Sequence, residues 1–114
     1  MRVRLAVLWG MMCAAGLAAA QAFDTEGFVR THYAKYEYRV AMRDGAKLFV
    51  GVYVPQAGAF GVKGDNGPYP FLMTRTPYSC GPYGEDKMPA RLGVSQELLE
   101  SGYIFVCGDV RGRY

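Results

Sequence analysis

Two short apolar runs, Phe71-Leu72-Met73-Thr74 and Tyr103-Ile104-Phe105-Val106-Cys107, constrain this chain more than any other feature. Each is too short for a buried helix and too continuous for a half-exposed strand, the pattern of strands covered on both faces. Between them Met88, Leu92 and Leu99 fall on one helical face. Ser95 stands where an N-cap belongs, with Glu97 close behind it, and Gly102 stands where a helix leaves through a left-handed residue. Pro89 and Gly93 leave the helix start open, at Pro89 or only at Ser95. Strand, crossover helix and strand predict a parallel, right-handed βαβ unit.

The residues ahead of this unit alternate. From Tyr33 onward, Tyr36, Tyr38, Val40 and Met42 share one face, predicted to point inward, and Lys35, Glu37 and Arg39 share the other. Arg43-Asp44-Gly45 is a hairpin signal, since a tight turn there needs positive φ. The next strand, Lys47 to Val54, sets Leu48, Val50, Val52 and Val54 on one side, and Pro55 ends it. An antiparallel hairpin leading into a mostly parallel sheet makes the fold class α/β. Residues 56–70, with Gly58, Gly61, Gly64, Gly67, Pro68 and Pro70, read as a surface loop. They match no phosphate loop, because no Gly-Lys-Ser/Thr closes them. Phe23 to His32 shows no clear period and reads as a mobile arm.

The first residues point to export. Arg2 and Arg4 precede an uncharged apolar run from Leu5 to Leu17, and Ala18-Ala19-Ala20-Gln21-Ala22 offers small residues at cleavage spacing. The run is shorter than the roughly 20 residues a membrane span needs. The expected organisation is therefore a signal peptide at 1–22, an N-terminal arm at 23–35 and the first strands of a domain at 36–114, with no membrane association after cleavage. Of the +3 formal charge, two units belong to Arg2 and Arg4, and no Lys/Arg cluster follows, so nucleic acid is not expected as a partner. Cys80 and Cys107 would face an oxidising compartment, where they can pair or remain separate small apolar residues.

A hydrolytic site needs a nucleophile, a base and an oxyanion donor. Ser79 and Ser95 each half-resemble a nucleophile elbow: Gly93-Val94-Ser95 lacks the closing glycine and Ser79-Cys80-Gly81 the opening one. Ser101 has neither. The single histidine, His32, precedes the first strand, and one His with distant Cys residues lacks metal-ligand spacing. Glu85, Asp86, Glu97 and Glu100 read as solvated charges. No metal or cofactor is expected. Tyr78 remains: just past a buried strand and stiffened by Pro77, its phenol could donate one hydrogen bond from a fixed place at neutral pH. Tyr78 and Asp109 both lie at the carboxyl ends of strands, where such sheets bind ligands.

Three blocks, Met42-Arg43-Asp44-Gly45-x-Lys47-Leu48, Arg75-Thr76-Pro77-Tyr78 and Gly102-Tyr103-x-Phe105-Val106-x-x-Asp109-Val110-Arg111-Gly112-Arg113-Tyr114, together resemble the start of a known domain. That domain is the α/β-hydrolase domain of the family of cocaine esterases, α-amino-acid ester hydrolases, glutaryl acylases and X-prolyl dipeptidyl peptidases. The resemblance implies that Tyr78 gives its hydroxyl to the oxyanion hole, and that Asp109 and Arg111 brace loops near the site. It implies a serine elbow, an Asp and a His beyond Tyr114. The expected function is thus the N-terminal portion of an exported serine hydrolase, periplasmic or extracellular, inactive alone. The whole enzyme would act on an ester or amide of an acyl or aminoacyl substrate, small molecule or peptide, with homo-oligomerisation left open. The competing reading is a small secreted β-module presenting Tyr33, Tyr36, Tyr38, Tyr53, Tyr69, Tyr78 and Tyr83 to a partner.

Overall fold

The structure, a computed structural model, describes residues 21–60 and 68–113. The leader read at 1–22 lies outside the described residues except for Gln21 and Ala22, as does most of the glycine-rich loop. Element order is α1 (Thr25–His32), β1 (Tyr33–Ala41), β2 (Lys47–Pro55), β3 (Phe71–Thr76), α2 (Gln96–Glu100) and β4 (Ile104–Asp109). Among the described residues, no helix is long and apolar enough to cross a membrane.

The segment read as a mobile arm is helical. Asp24 caps α1 by accepting from the Gly27 N–H, Glu26 lies in the first turn, and Arg30 pairs with it one turn later at 2.9 Å. Its one fully buried side chain, Val29, enters the core. One fully buried side chain, with Phe28 only partly buried beside it, leaves too weak a periodicity to be seen in sequence.

The four strands form one mixed sheet in the order β1-β2-β4-β3. β1 and β2 are antiparallel, β2 and β4 are antiparallel, and β3 and β4 are parallel with α2 in the chain between them. Of these pairings only one is parallel, so this part of the sheet is not mostly parallel. Gly45 makes the β1–β2 turn at φ 85°, with the Asp44 carboxylate accepting from the Ala46 N–H.

The buried face of β1 is the opposite of the one predicted. Tyr33 and Lys35 are buried, whereas Tyr36, Tyr38, Val40 and Met42 are exposed. Registry explains the inversion. Lys35 lies opposite Tyr53, Glu37 opposite Gly51 and Arg39 opposite Phe49, so these residues share the face on which the 80–93 segment packs. Tyr36 and Tyr38 lie opposite Val52 and Val50 on the other face. β2 is apolar on both faces, and periodicity alone could not say which one the chain covers. β3, predicted to be covered on both sides, is the edge of the sheet among the described strands, with Phe71 and Met73 more than half exposed.

The core joins α1, the sheet and the crossover: Val29, Tyr33, Tyr53, Leu92, Leu99 and Phe105 cluster, with Phe28, Phe60, Met88, Leu98 and Tyr103 around them. The Tyr33 hydroxyl donates to the Leu99 carbonyl at 2.8 Å, tying the start of β1 to α2, and burial pushes its phenol well above the usual tyrosine range. Burial, helped by the charge of Glu37, pushes Tyr53 up to about 12. α2 begins after Ser95, whose Oγ accepts from the Leu98 N–H, and the chain leaves through Gly102 at φ 74°. Leu92 and Met88 thus reach the core from irregular backbone rather than from the helix.

Candidate active site

The carboxyl ends of β3 and β4 are flush, with Thr76 paired to Asp109 and the Val110 N–H donating to the Thr76 carbonyl at 3.2 Å. The chain leaves β3 through Pro77 into a loop that carries Tyr78 at the surface, 85% exposed. The Tyr78 N–H donates to Thr76 Oγ1 at 3.0 Å, and the Arg113 guanidinium donates to its carbonyl at 3.4 Å. This holds the backbone of Tyr78 and leaves the phenol free to reach outward.

The next residues are pinned from below. Asp109 is 1% exposed, and its two carboxylate oxygens are divided between partners: Oδ1 accepts from the Cys80 N–H at 2.8 Å and Oδ2 from the Tyr83 hydroxyl at 2.7 Å. A buried carboxylate is tolerated where charge-assisted bonds of this kind replace water. Cys80 and Cys107 are joined by a disulfide, with Cα atoms 5.7 Å apart, so the loop is also tied covalently to β4. Ser79, between the free Tyr78 and the pinned Cys80, has φ 108°, a conformation unusual for a residue with a side chain.

A second layer holds the loop that carries Tyr83. Lys35 extends from β1 beneath it and donates to the carbonyls of Pro82, Gly84 and Lys87 at 2.5, 2.8 and 2.9 Å, while Glu37 accepts from both the Lys35 ammonium and the Gly84 N–H. The Tyr83 ring meets Phe49 edge-on at 4.7 Å. Beneath the loop, between β3, β4 and the 89–94 segment, lies a cavity of about 440 Å³ lined by Thr74, Ser79, Arg91, Leu92, Phe105 and Cys107, among others.

The structure therefore brings Tyr78 and Asp109 together at one end of the sheet, with Cys80 and Cys107 beside them. Arg111 pairs with Asp44 in the β1–β2 turn, which the β2–β4 register puts at the same end of the sheet, and Arg113 is the arginine at the Tyr78 backbone. His32 stacks on Phe28 at 3.8 Å and bonds to the Phe28 carbonyl and Thr31, in the aromatic cluster at the start of β1. Ser95 is the α2 cap, and Ser101 Oγ donates to the Glu97 carbonyl. Among the described residues no cluster of His, Cys, Asp and Glu could hold a metal ion. Lys35 and Tyr83 were not legible as site residues, and Ser79 was read only as half of a nucleophile elbow. Lys35 read as a surface charge, and Tyr83 only as one of the tyrosines of the competing reading.

The sheet is of α/β type and mixed pairing, with a loop residue presented at the carboxyl ends of two parallel strands. Residues 44–114 match the model of the X-Pro dipeptidyl-peptidase (S15 family), and the chain belongs to that family. No curated protein matches. Among solved structures, an α-amino acid ester hydrolase superposes with a TM-score of 0.55 at 27% identity, over 94% of this chain and 16% of its own. An aminopeptidase from a marine sediment archaeon, Thaumarchaeota archaeon, superposes with a TM-score of 0.54 at 22% identity, over 93% of this chain and 16% of its own. The chain thus spans about a sixth of the length of these relatives.

Proposed function

We propose that these residues are the N-terminal portion of an exported serine hydrolase that cleaves an ester or amide of an acyl or aminoacyl substrate, and that Tyr78 is one of its oxyanion donors. The observation that carries the reading is an exposed phenol on a backbone fixed at the flush carboxyl ends of β3 and β4. In acyl transfer the carbonyl oxygen gains negative charge as the tetrahedral intermediate forms. A phenol O–H held at that oxygen strengthens its hydrogen bond as the charge grows, and does so without reorganising. The serine nucleophile, its base and its acid come from other residues of the protein, since His32 is engaged in the aromatic cluster and Ser79, Ser95 and Ser101 are committed to local bonds. On this reading the described residues are inactive alone. Export follows from the leader pattern at 1–22 and suits the Cys80–Cys107 disulfide.

The test is Tyr78→Phe in the intact protein, assayed with an aminoacyl aryl ester and with an X-Pro anilide. Loss of one oxyanion donor should lower kcat by about 100-fold or more. Thermal unfolding should not change, because the phenol is 85% exposed. Unchanged turnover of both substrates would remove Tyr78 from the site.

A further inference from the structure

Resting on this reading of Tyr78, we propose that Tyr83 is a positioning residue for the oxyanion donor, acting through the Ser79 hydroxyl. A tyrosine hydroxyl has one proton, and that of Tyr83 is given to Asp109 Oδ2 at 2.7 Å. The 2.9 Å contact between Ser79 Oγ and the Tyr83 oxygen therefore has Ser79 as its donor. Ser79 Oγ in turn accepts from the Gly81 N–H at 3.2 Å. The result is a directed chain, Gly81 N–H to Ser79, Ser79 to Tyr83, Tyr83 to Asp109, closed by the Cys80 N–H on the other oxygen of the same carboxylate.

This ring of bonds surrounds Ser79, the residue held at φ 108°, and it leads directly out of Tyr78. A side chain bonded on both sides is what keeps a non-glycine residue in that conformation. The direction in which Tyr78 leaves the loop is set by the backbone of Ser79, so loosening Ser79 re-aims the phenol without touching it. Tyr83 is itself held fast, with its ring on Phe49 and the carbonyls of its neighbours Pro82 and Gly84 on the Lys35 ammonium. The network thus passes rigidity from β1 and β4 to an otherwise exposed side chain.

The experiment is a double-mutant cycle in the intact protein with an aminoacyl aryl ester as substrate, supported by Ser79→Gly. Tyr83→Phe keeps the ring and removes the hydroxyl, and should lower kcat roughly tenfold or more with KM within about twofold. In the Tyr78→Phe background the same change should have no further effect on kcat, because the group it positions is gone. Ser79→Gly accepts φ 108° without strain, so the melting temperature should hold while kcat falls as in Tyr83→Phe. It carries the test if Tyr83→Phe fails to fold. Equal losses from Tyr83→Phe in both backgrounds, or full kcat in Ser79→Gly, would overturn the positioning role. If Tyr78→Phe loses activity but neither Tyr83→Phe nor Ser79→Gly does, this proposal fails and the oxyanion reading stands. If Tyr78→Phe itself is fully active, or the wild type cleaves neither the aryl ester nor an X-Pro anilide, both fall together.

Discussion

Lys35 Nζ and Glu37 Oε1 lie 2.9 Å apart on the covered face of β1, the lysine side chain fully buried and the glutamate one-fifth exposed. A buried ion pair seldom repays its own desolvation. Here the ammonium is also solvated by three carbonyls of one loop, of which that of Gly84 accepts from the Lys87 N–H as well. The pair is therefore less a stabilising contact than a template on which residues 82–87 are laid down.

Removing the ammonium should be costly. Lys35→Met leaves three carbonyls and the Glu37 carboxylate without their cation, and such losses typically destabilise by about 3–5 kcal/mol. Adding Glu37→Gln should recover only the part owed to the carboxylate, because the carbonyls still lack the ammonium they shared, Gly84 keeping its bond from the Lys87 N–H. Urea unfolding of the intact protein measures both. A Lys35→Met variant as stable as the wild type would mean that water takes the place of the ammonium without loss.

The same pair makes the loop sensitive to acid. Burial pushes Glu37 up, but the Lys35 ammonium, the Gly84 N–H and the nearby Arg39 outweigh it, so its carboxyl sits below the ordinary 4.5. A group whose value is lower folded than unfolded adds stability that is complete above the unfolded value and is lost as pH falls through the folded one. Stability should therefore decline below about pH 4.5, and Glu37→Gln should flatten that decline. Melting temperatures from roughly pH 6 to pH 3 report it, and slopes equal in the two proteins would assign the acid sensitivity to other carboxylates.

What was legible in the sequence follows a physical division. The turn at Asp44-Gly45, the cap at Ser95, the exit at Gly102 and all four strands depend on neighbours in sequence, and each is found close to where local chemistry puts it. The covered face of β1 was misread because Tyr36, Tyr38 and Val40 are good apolar candidates, and only the long-range placement of the 80–93 segment turns Lys35 inward. Tyr78 and Asp109 could be paired in advance because both end parallel strands. Tyr83 could not, since its role arises from a loop folding back on Asp109 across 26 positions of the chain, and Ser79 takes its own from its bond to Tyr83.

The disulfide gives a separate prediction. Cys80 and Cys107 are separated by 27 positions, a span for which loop-closure entropy gives about 3.5 kcal/mol. Cys80→Ala/Cys107→Ala in the intact protein should lose about 2–4 kcal/mol. Alkylation of the unfolded wild type should cap both thiols only after reduction, read as a mass shift. Capping without reductant would show the pair unbridged.

Gly93 tests the packing of the core under the same loop. Its φ is +69°, and a Cβ built there would stand 2.6 Å from Phe105 Cε1 and 3.2 Å from Cζ. Phe105 is buried in the cluster with Tyr33 and Leu92, so its ring has little room to yield. Gly112, at φ +83°, has nothing within 4 Å of its would-be Cβ. Both positions carry the left-handed cost of about 1–2 kcal/mol on conversion to alanine, but only Gly93→Ala adds overpacking, typically about 1–3 kcal/mol more. Comparing the two variants by urea unfolding cancels the backbone part and leaves the contact with Phe105. Equal losses would mean that the ring swings aside, and Phe105→Leu should then have no special ability to rescue Gly93→Ala. If the close approach decides the cost, that second substitution should restore part of the stability, since a leucine vacates the space the new methyl group needs.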